Sequence, residues 1–184
     1  MIFLFCGLSG AGKTTIAKNV KAKFFEAGIA VEIIDGDEYR EMLCRDLSFS
    51  KDDRCENIRR LGFIAAKFSA HDVITLVSAI NPYENVRAEL KKEYQDTRLV
   101  HVDCPVDELR KRDTKGLYER AFLPDNHPNK IANLTGVNDH FDVPENPDLY
   151  LNTYHYSITE CTDLLFSFIM ESVQIVRTVV NNNH

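Results

Sequence analysis

The sequence lacks several features that would each have set its class. No apolar run approaches the ~20 residues needed to span a bilayer. The opening "MIFLFCG" has no basic segment ahead of its apolar stretch, so it reads as a buried strand and not as a secretory leader. The five cysteines (Cys6, Cys44, Cys55, Cys104, Cys161) are scattered, odd in number and without a C-x-x-C pair. That excludes a disulfide framework or a structural zinc site and suits reduced thiols in a cytoplasmic protein. His71, His101, His127, His140, His155 and His184 likewise show no metal-ligand spacing. Positive charge is also scarce. Against 28 acidic residues stand 22 lysines and arginines, a net charge of −6, so the overall field favours neither nucleic acid nor an anionic membrane. An anionic ligand must be held by a local positive site.

What is present is an alternation. At 184 residues the chain can build one well-buried core. Short β-branched runs at Ile2–Cys6, Ala30–Ile34, Val73–Ile80, Arg98–Val102 and Asp148–Leu151 predict strands, most of them apolar on both faces, as in a covered parallel sheet. Between them, helical patterns cover Lys13–Ala27, Asp37–Arg45, Asp52–Ala70, Pro82–Tyr94, Val106–Arg112 and Ile158–Val179. Pro82 and Pro105 suit first helical turns, and Ser50 with Asp52 and Asp53 suits a helix cap. Ile158, Cys161, Leu165, Phe168 and Ile169 recur at helical spacing and predict core packing. The expectation is an α/β fold: one three-layer domain over residues 1–180 with a mostly parallel central sheet, then a frayed polar tail, "NNNH", at 181–184. Thr114–Pro147, with four prolines and no clear periodicity, resists assignment. A loop that long in a compact domain is usually a functional lid or disordered.

The sharpest local signal is "GLSGAGKT", Gly7 to Thr14, which reads G-x-x-x-x-G-K-T between a predicted strand and a predicted helix. Gly7, Gly10 and Gly12 let backbone N–H groups turn inward to form an anion nest, and the helix that follows adds its positive end. Lys13 reaches the β- and γ-phosphates of a nucleoside triphosphate, and the Thr14 hydroxyl is placed to ligate Mg²⁺. The motif predicts the P-loop NTPase fold, with Gly7, Leu8, Ser9, Gly10, Ala11, Gly12, Lys13, Thr14 and Thr15 around the triphosphate. No acidic pair follows "LVSAI" to polarise water, and no N-K-x-D context selects guanine. A small-molecule kinase, which needs only an acceptor hydroxyl in line with the γ-phosphate, remains.

The second strand ends in "IIDGDEYR", Ile33 to Arg40. If it ends beside the first strand at the carboxyl edge of the sheet, Asp35 and Asp37 face the γ-phosphate. Asp35 would take or orient the proton of an acceptor hydroxyl, while Asp37 would assist Mg²⁺ through water or cap the helix carrying Arg40. Downstream, Arg40 and Arg54 suit an anion, Phe49 suits stacking on a flat base, and Asn57 suits directional hydrogen bonds. Arg59 and Arg60 fit a pocket or a solvated face equally well.

Six runs carry a family resemblance: "GLSGAGKTT", "DGDEYR", "LSFSKDDRCENIRR", "AINPYENVR", "RDTKGLYERA" and "LTGVNDHFDVP". In this order, the chain resembles adenylylsulfate kinases, which move the γ-phosphate of ATP to the 3′-hydroxyl of adenosine 5′-phosphosulfate. The resemblance implies that Arg40, Phe49, Arg54, Asn57 and Ile80 line the acceptor pocket and that Arg112 lies against the ATP adenine. It makes residues 113–147 a mobile lid whose Lys115 reaches both ligands. It also implies a homodimer that acts on small nucleotides, with Mg²⁺ accompanying ATP. Departures gather at the acceptor end. Leu134 replaces an aromatic that closes over the acceptor base, Asn81 replaces a serine, Glu84 replaces an arginine, and "FLPDNHPNK" lengthens the lid. Two other readings therefore stay open: a 3′-hydroxyl kinase of another modified nucleotide, such as a cytidine diphosphoramidate, and a nucleotide-binding module without turnover.

Overall fold

Alternation along the first strand sets the architecture. In the computed structural model, which describes residues 1–181, β1 (Ile2–Cys6) is buried along its whole length. Successive strand side chains point to opposite faces, so Phe3 and Phe5 enter one apolar cluster while Ile2, Leu4 and Cys6 enter another. The first cluster is closed by α1 (Lys13–Glu26) through Ile16, Val20 and Phe24, and by α7 (Ile158–Asn181) through Cys161, Leu165 and Ile169. The second is closed by α3 (Lys51–Ser69) through Ile58, Leu61 and Ala65, and by α4 (Glu84–Glu93) through Val86 and Leu90. Helices thus cover both faces of the sheet, which is the three-layer arrangement that doubly apolar strands require.

The remaining strands are β2 (Val31–Asp35), β3 (Ile74–Ser78), β4 (Thr97–Asp103) and β5 (Leu149–Asn152). Their order across the sheet is β2-β3-β1-β4-β5, and every pairing is parallel. The expected α/β class and parallel sheet are therefore present. One topological expectation is corrected: β2 does not lie beside β1, because β3 is inserted between them. Asp35 is consequently paired in register with Ser78, and the tip of β3 stands between the acid and the glycine loop.

Shorter helices complete the carboxyl edge: α2 (Gly36–Met42), α5 (Val106–Arg112) and α6 (Leu117–Ala121). Pro82 is not in a first helical turn; Tyr83 caps α4, whereas Pro105 is itself the cap of α5. Ser50 caps α3 by accepting from Asp53 N. The segment left unassigned in the sequence contains α6, followed by turns stitched by local bonds, among them Ile131 N to Arg120 O at 3.2 Å and Gly136 N to Asp139 O at 2.8 Å. Asn181, expected in the tail, still belongs to α7, and residues 182–184 of that expected tail lie outside the described residues. No helix among the described residues is long and apolar enough to cross a membrane.

Gly7, where β1 meets the loop, has φ +142, and a Cβ there would lie 2.1 Å from the Val102 carbonyl oxygen of β4. Neither a left-handed backbone nor contact with a neighbouring strand's backbone relaxes cheaply. Gly7→Ala is expected to lower unfolding free energy by about 3 kcal/mol or more, read as a shift in the denaturant midpoint.

Candidate active site

The loop between β1 and α1 is a cradle held from outside. Gly7, Gly10 and Gly12 all have positive φ. The Ser9 carbonyl accepts from the Tyr118 hydroxyl at 2.8 Å, and the Ala11 carbonyl accepts from Thr153 Oγ1 at 2.9 Å. Tyr118 comes from α6 and Thr153 follows β5, so distant parts of the chain fix the loop. Arg112 joins this scaffold: its Nη2 donates to the Thr153 carbonyl at 2.8 Å, and its Nε meets Glu108 at 3.3 Å. Lys13 is 7% exposed and donates to the carbonyls of Gly7 (2.8 Å) and Leu8 (2.7 Å). Burial is the main cause that lowers its ammonium pKa to about 8.

Asp35 both caps a helix and faces the loop. One carboxylate oxygen, Oδ1, accepts from Asp37 N at 3.0 Å and so caps α2; the other, Oδ2, accepts from Thr14 Oγ1 at 2.7 Å. Thr14 Oγ1 also lies 3.1 Å from Ser78 Oγ, the residue paired with Asp35 in the sheet. The acid and the glycine loop therefore confront each other across the end of β3.

Two clefts open nearby, and the contact itself lies in the wall of the first. The first, about 190 Å³, is lined by Ser9, Gly10, Gly12, Lys13, Thr14 and Thr15 of the loop, and by Asp35 and Lys115 opposite. Leu8, Ala11 and Arg112 do not line it. Ala11 is fully buried, Leu8 packs toward Gly136, and Arg112 is drawn to Thr153. The second cleft, about 70 Å³, brings together Arg40, Phe49, Arg54, Asn57 and Ile80. Asp37, Ala79 and Ile80 border both. Lys115 borders only the first, ion-paired with Asp37 at the junction.

The arginines differ in freedom. The Arg40 guanidinium lies 4.7 Å from the centre of the Phe49 ring and donates to the Ser48 carbonyl at 2.8 Å. Arg54 is spoken for: it donates to Phe49 O, Thr135 Oγ1 and Asn133 O at 2.7–2.9 Å and pairs with Asp139 at 3.2 Å. It borders the cleft chiefly as a clamp that fastens residues 133–139 to α3. Leu134 does not reach the cleft at all; it is 6% exposed and packs in the core cluster of the α1/α7 layer. Arg59 is bonded to Glu89, and Arg60 to Asp46 and Glu56, in surface ion pairs.

Four participants were missed in the sequence: Ser78, Tyr118, Thr153 and Arg87. The last is fully buried and donates to Asn81 O at 2.9 Å and to Asp142 O at 2.5 Å, bracing the strip at Asn81 that borders the second cleft. Tyr118 sits inside the quoted "RDTKGLYERA" run and carried that much signal; an isolated serine or threonine after a strand carried none.

Comparison with known proteins identifies the family. The family model described as adenylylsulphate kinase matches residues 1–152. An adenylyl-sulfate kinase of Chloroflexus aurantiacus is 44% identical over 176 residues, covering 96% of this chain and 91% of the relative. One from a Synechococcus strain is 42% identical, covering 88% and 89%. The Mycobacterium tuberculosis APS kinase, solved in complex with AMPPNP and APS, superposes with a TM-score of 0.85 at 35% identity, covering 92% of this chain and 96% of that one. A hexameric APS kinase from Thiobacillus denitrificans gives 0.66 at 26% identity, covering 92% and 28%. The chain belongs to the adenylylsulphate kinase family.

Proposed function

We propose that this chain transfers the γ-phosphate of ATP directly, in line and without a phosphoenzyme, to the 3′-hydroxyl of adenosine 5′-phosphosulfate. The triphosphate occupies the first cleft and the acceptor nucleotide the second. The observation that carries this is the 2.7 Å contact between Asp35 and Thr14 in the first cleft, which meets the second along Asp37, Ala79 and Ile80. An acceptor hydroxyl reaching from the second cleft into the first would meet the Asp35 carboxylate, which is able to orient it and receive its proton. Lys13 and the loop amides meet the charge that spreads over the phosphoryl oxygens in the transition state. Lys115, now paired with Asp37, is the lid group placed to exchange that partner for phosphate, with residues 113–147 closing to exclude water. Arg40 offers its guanidinium to the 5′ anion, and Phe49 offers its face to the base.

Thr14 Oγ1, Ser78 Oγ and the Asp35 carboxylate form a set of hard oxygen donors that fits Mg²⁺, with Thr14 as its holder. Magnesium brought by the triphosphate would neutralise charge on the β- and γ-phosphates. All five cysteines are free and buried, which suits a cytoplasmic site of action. A homodimer, implied by the family likeness, would appear in sedimentation at twice the chain mass.

The direct test is a coupled ADP-release assay offered adenosine 5′-phosphosulfate and cytidine diphosphoramidate in turn. Turnover with the first is expected, and its absence overturns the proposal. Lys13→Ala is expected to lower kcat by about 10²–10³-fold. Asp35→Asn keeps an acceptor for the α2 cap but loses the proton-accepting charge, so kcat should fall about 100-fold with the melting temperature nearly unchanged. A near-normal rate in that variant would remove Asp35 from the chemistry.

Lys13 also predicts a pH effect. Its pKa near 8 in the free protein should rise beside a triphosphate, so ATP binding above about pH 8 takes up protons and weakens as pH increases. Calorimetry at about pH 8.5 in two buffers of different ionisation enthalpy should register that uptake, and at pH 7 it should largely vanish.

A further inference from the structure

β3 ends in a buried serine, Ser78, which is 4% exposed. Among the described residues its hydroxyl has one hydrogen-bond partner, Thr14 Oγ1 at 3.1 Å, and either oxygen can be the donor. A hydroxyl buried at a strand end is costly unless it is bonded, so the contact with Thr14 is what makes this serine tolerable there. Its place is fixed from both sides of the strand. Parallel pairing sets Ser78 level with Asp35, and two residues further on Gly7 N donates to Ile80 O at 3.1 Å. Ser78 therefore stands as a fixed post in the wall of the first cleft, beside Thr14 and Asp35.

Thr14 has more than one place to put its hydroxyl. It lies in the first turn of α1, and a helical threonine can also fold its Oγ1 back onto a carbonyl three or four residues earlier. Here two partners draw the group outward, Asp35 Oδ2 at 2.7 Å and Ser78 Oγ. They are not equally available during transfer. Asp35 Oδ1 is taken by two backbone N–H groups, from Asp37 at 3.0 Å and Glu38 at 3.4 Å. Oδ2 is thus the oxygen left to meet an acceptor hydroxyl, and it already holds the Thr14 hydrogen. It has lone pairs for both, but the two hydrogens then compete for the same charge. Ser78 offers the way out. Rotation about the Thr14 C–O bond carries the hydrogen from Asp35 to Ser78 and leaves Oγ1 where it is.

We propose that Ser78 is a positioning residue: it receives the Thr14 hydroxyl hydrogen when Asp35 takes up the acceptor, and so keeps Thr14 Oγ1 turned toward the first cleft. This rests on the first cleft holding the phosphates and on Asp35 serving the acceptor hydroxyl. Calorimetry with ADP, once with Mg²⁺ and once with EDTA, tests it without turnover. In the unaltered protein the metal should tighten ADP binding. Ser78→Ala should shrink that metal-dependent gain about fivefold, the worth of one ordinary hydrogen bond, with metal-free affinity unchanged. Ser78→Cys fills nearly the same space but offers only a weak donor and acceptor, so it should behave like Ser78→Ala, whereas a packing role would leave it normal. With adenosine 5′-phosphosulfate, both variants should lose about tenfold in kcat and keep the acceptor KM. An unchanged metal-dependent gain or kcat in Ser78→Ala, a normal Ser78→Cys, or no such gain in the unaltered protein overturns the assignment. Absence of turnover in the unaltered protein would defeat the proposed function alone, because the ADP affinities still decide the role of Ser78.

Discussion

The site depends on a register constraint in the sheet. Parallel pairing aligns Asp35 with Ser78 on one side of β3, while the other side of β3 pairs with β1. A carboxylate, a hydroxyl and the start of the glycine loop therefore end at the same level of the carboxyl edge. A slip by one residue would turn every side chain of β2 to the other face and take the Asp35 carboxylate away from Thr14. The buried faces of the strands prevent that slip, since Ile34 and Val31 would have to give up their places in the two core clusters. Apolar packing holds the polar geometry of the Asp35–Thr14–Ser78 contact.

Around that contact the polar interactions divide into two kinds. Some belong to scaffolding: Arg112 on Thr153, Arg87 on Asn81 and Asp142, and Arg54 on the 133–139 segment. These cations are satisfied mainly by carbonyls and hydroxyls, so they brace backbone. Others have partners that a ligand can replace, namely Lys13 on the Gly7 and Leu8 carbonyls and Lys115 on Asp37. In an acidic chain, the positive charge at the site is thereby supplied by a few placed side chains and oriented amides, with no help from the overall field.

The sequence made some of this legible and concealed the rest for physical reasons. The glycine loop, Lys13, Thr14 and Asp35 were readable because their chemistry is packed into short runs with backbone consequences of their own. The strands were readable through apolar runs, with ends displaced by a residue or two where pairing partners decide the boundary. The position of β3 between β1 and β2 was not readable, since strand order depends on crossovers that leave no local mark. Arg54 and Leu134 show the same limit at the side-chain level. One was expected to meet an anion and instead clamps a segment about eighty residues away; the other was expected over a base and instead fills the core. Residue type announces what a group can do, but long-range packing chooses its partner.

The bonds that Tyr118 and Thr153 make to the glycine loop have a further effect. A peptide group is a rigid plane with its C=O and N–H directed oppositely. Pulling the Ser9 and Ala11 carbonyls toward Tyr118 and Thr153 therefore aims the amide hydrogens of Gly10 and Gly12 the other way, into the space they border. Two ordinary hydroxyls on the back of the loop thus act as stays that preset its dipoles, so that little reorientation is left to perform when a polyphosphate arrives.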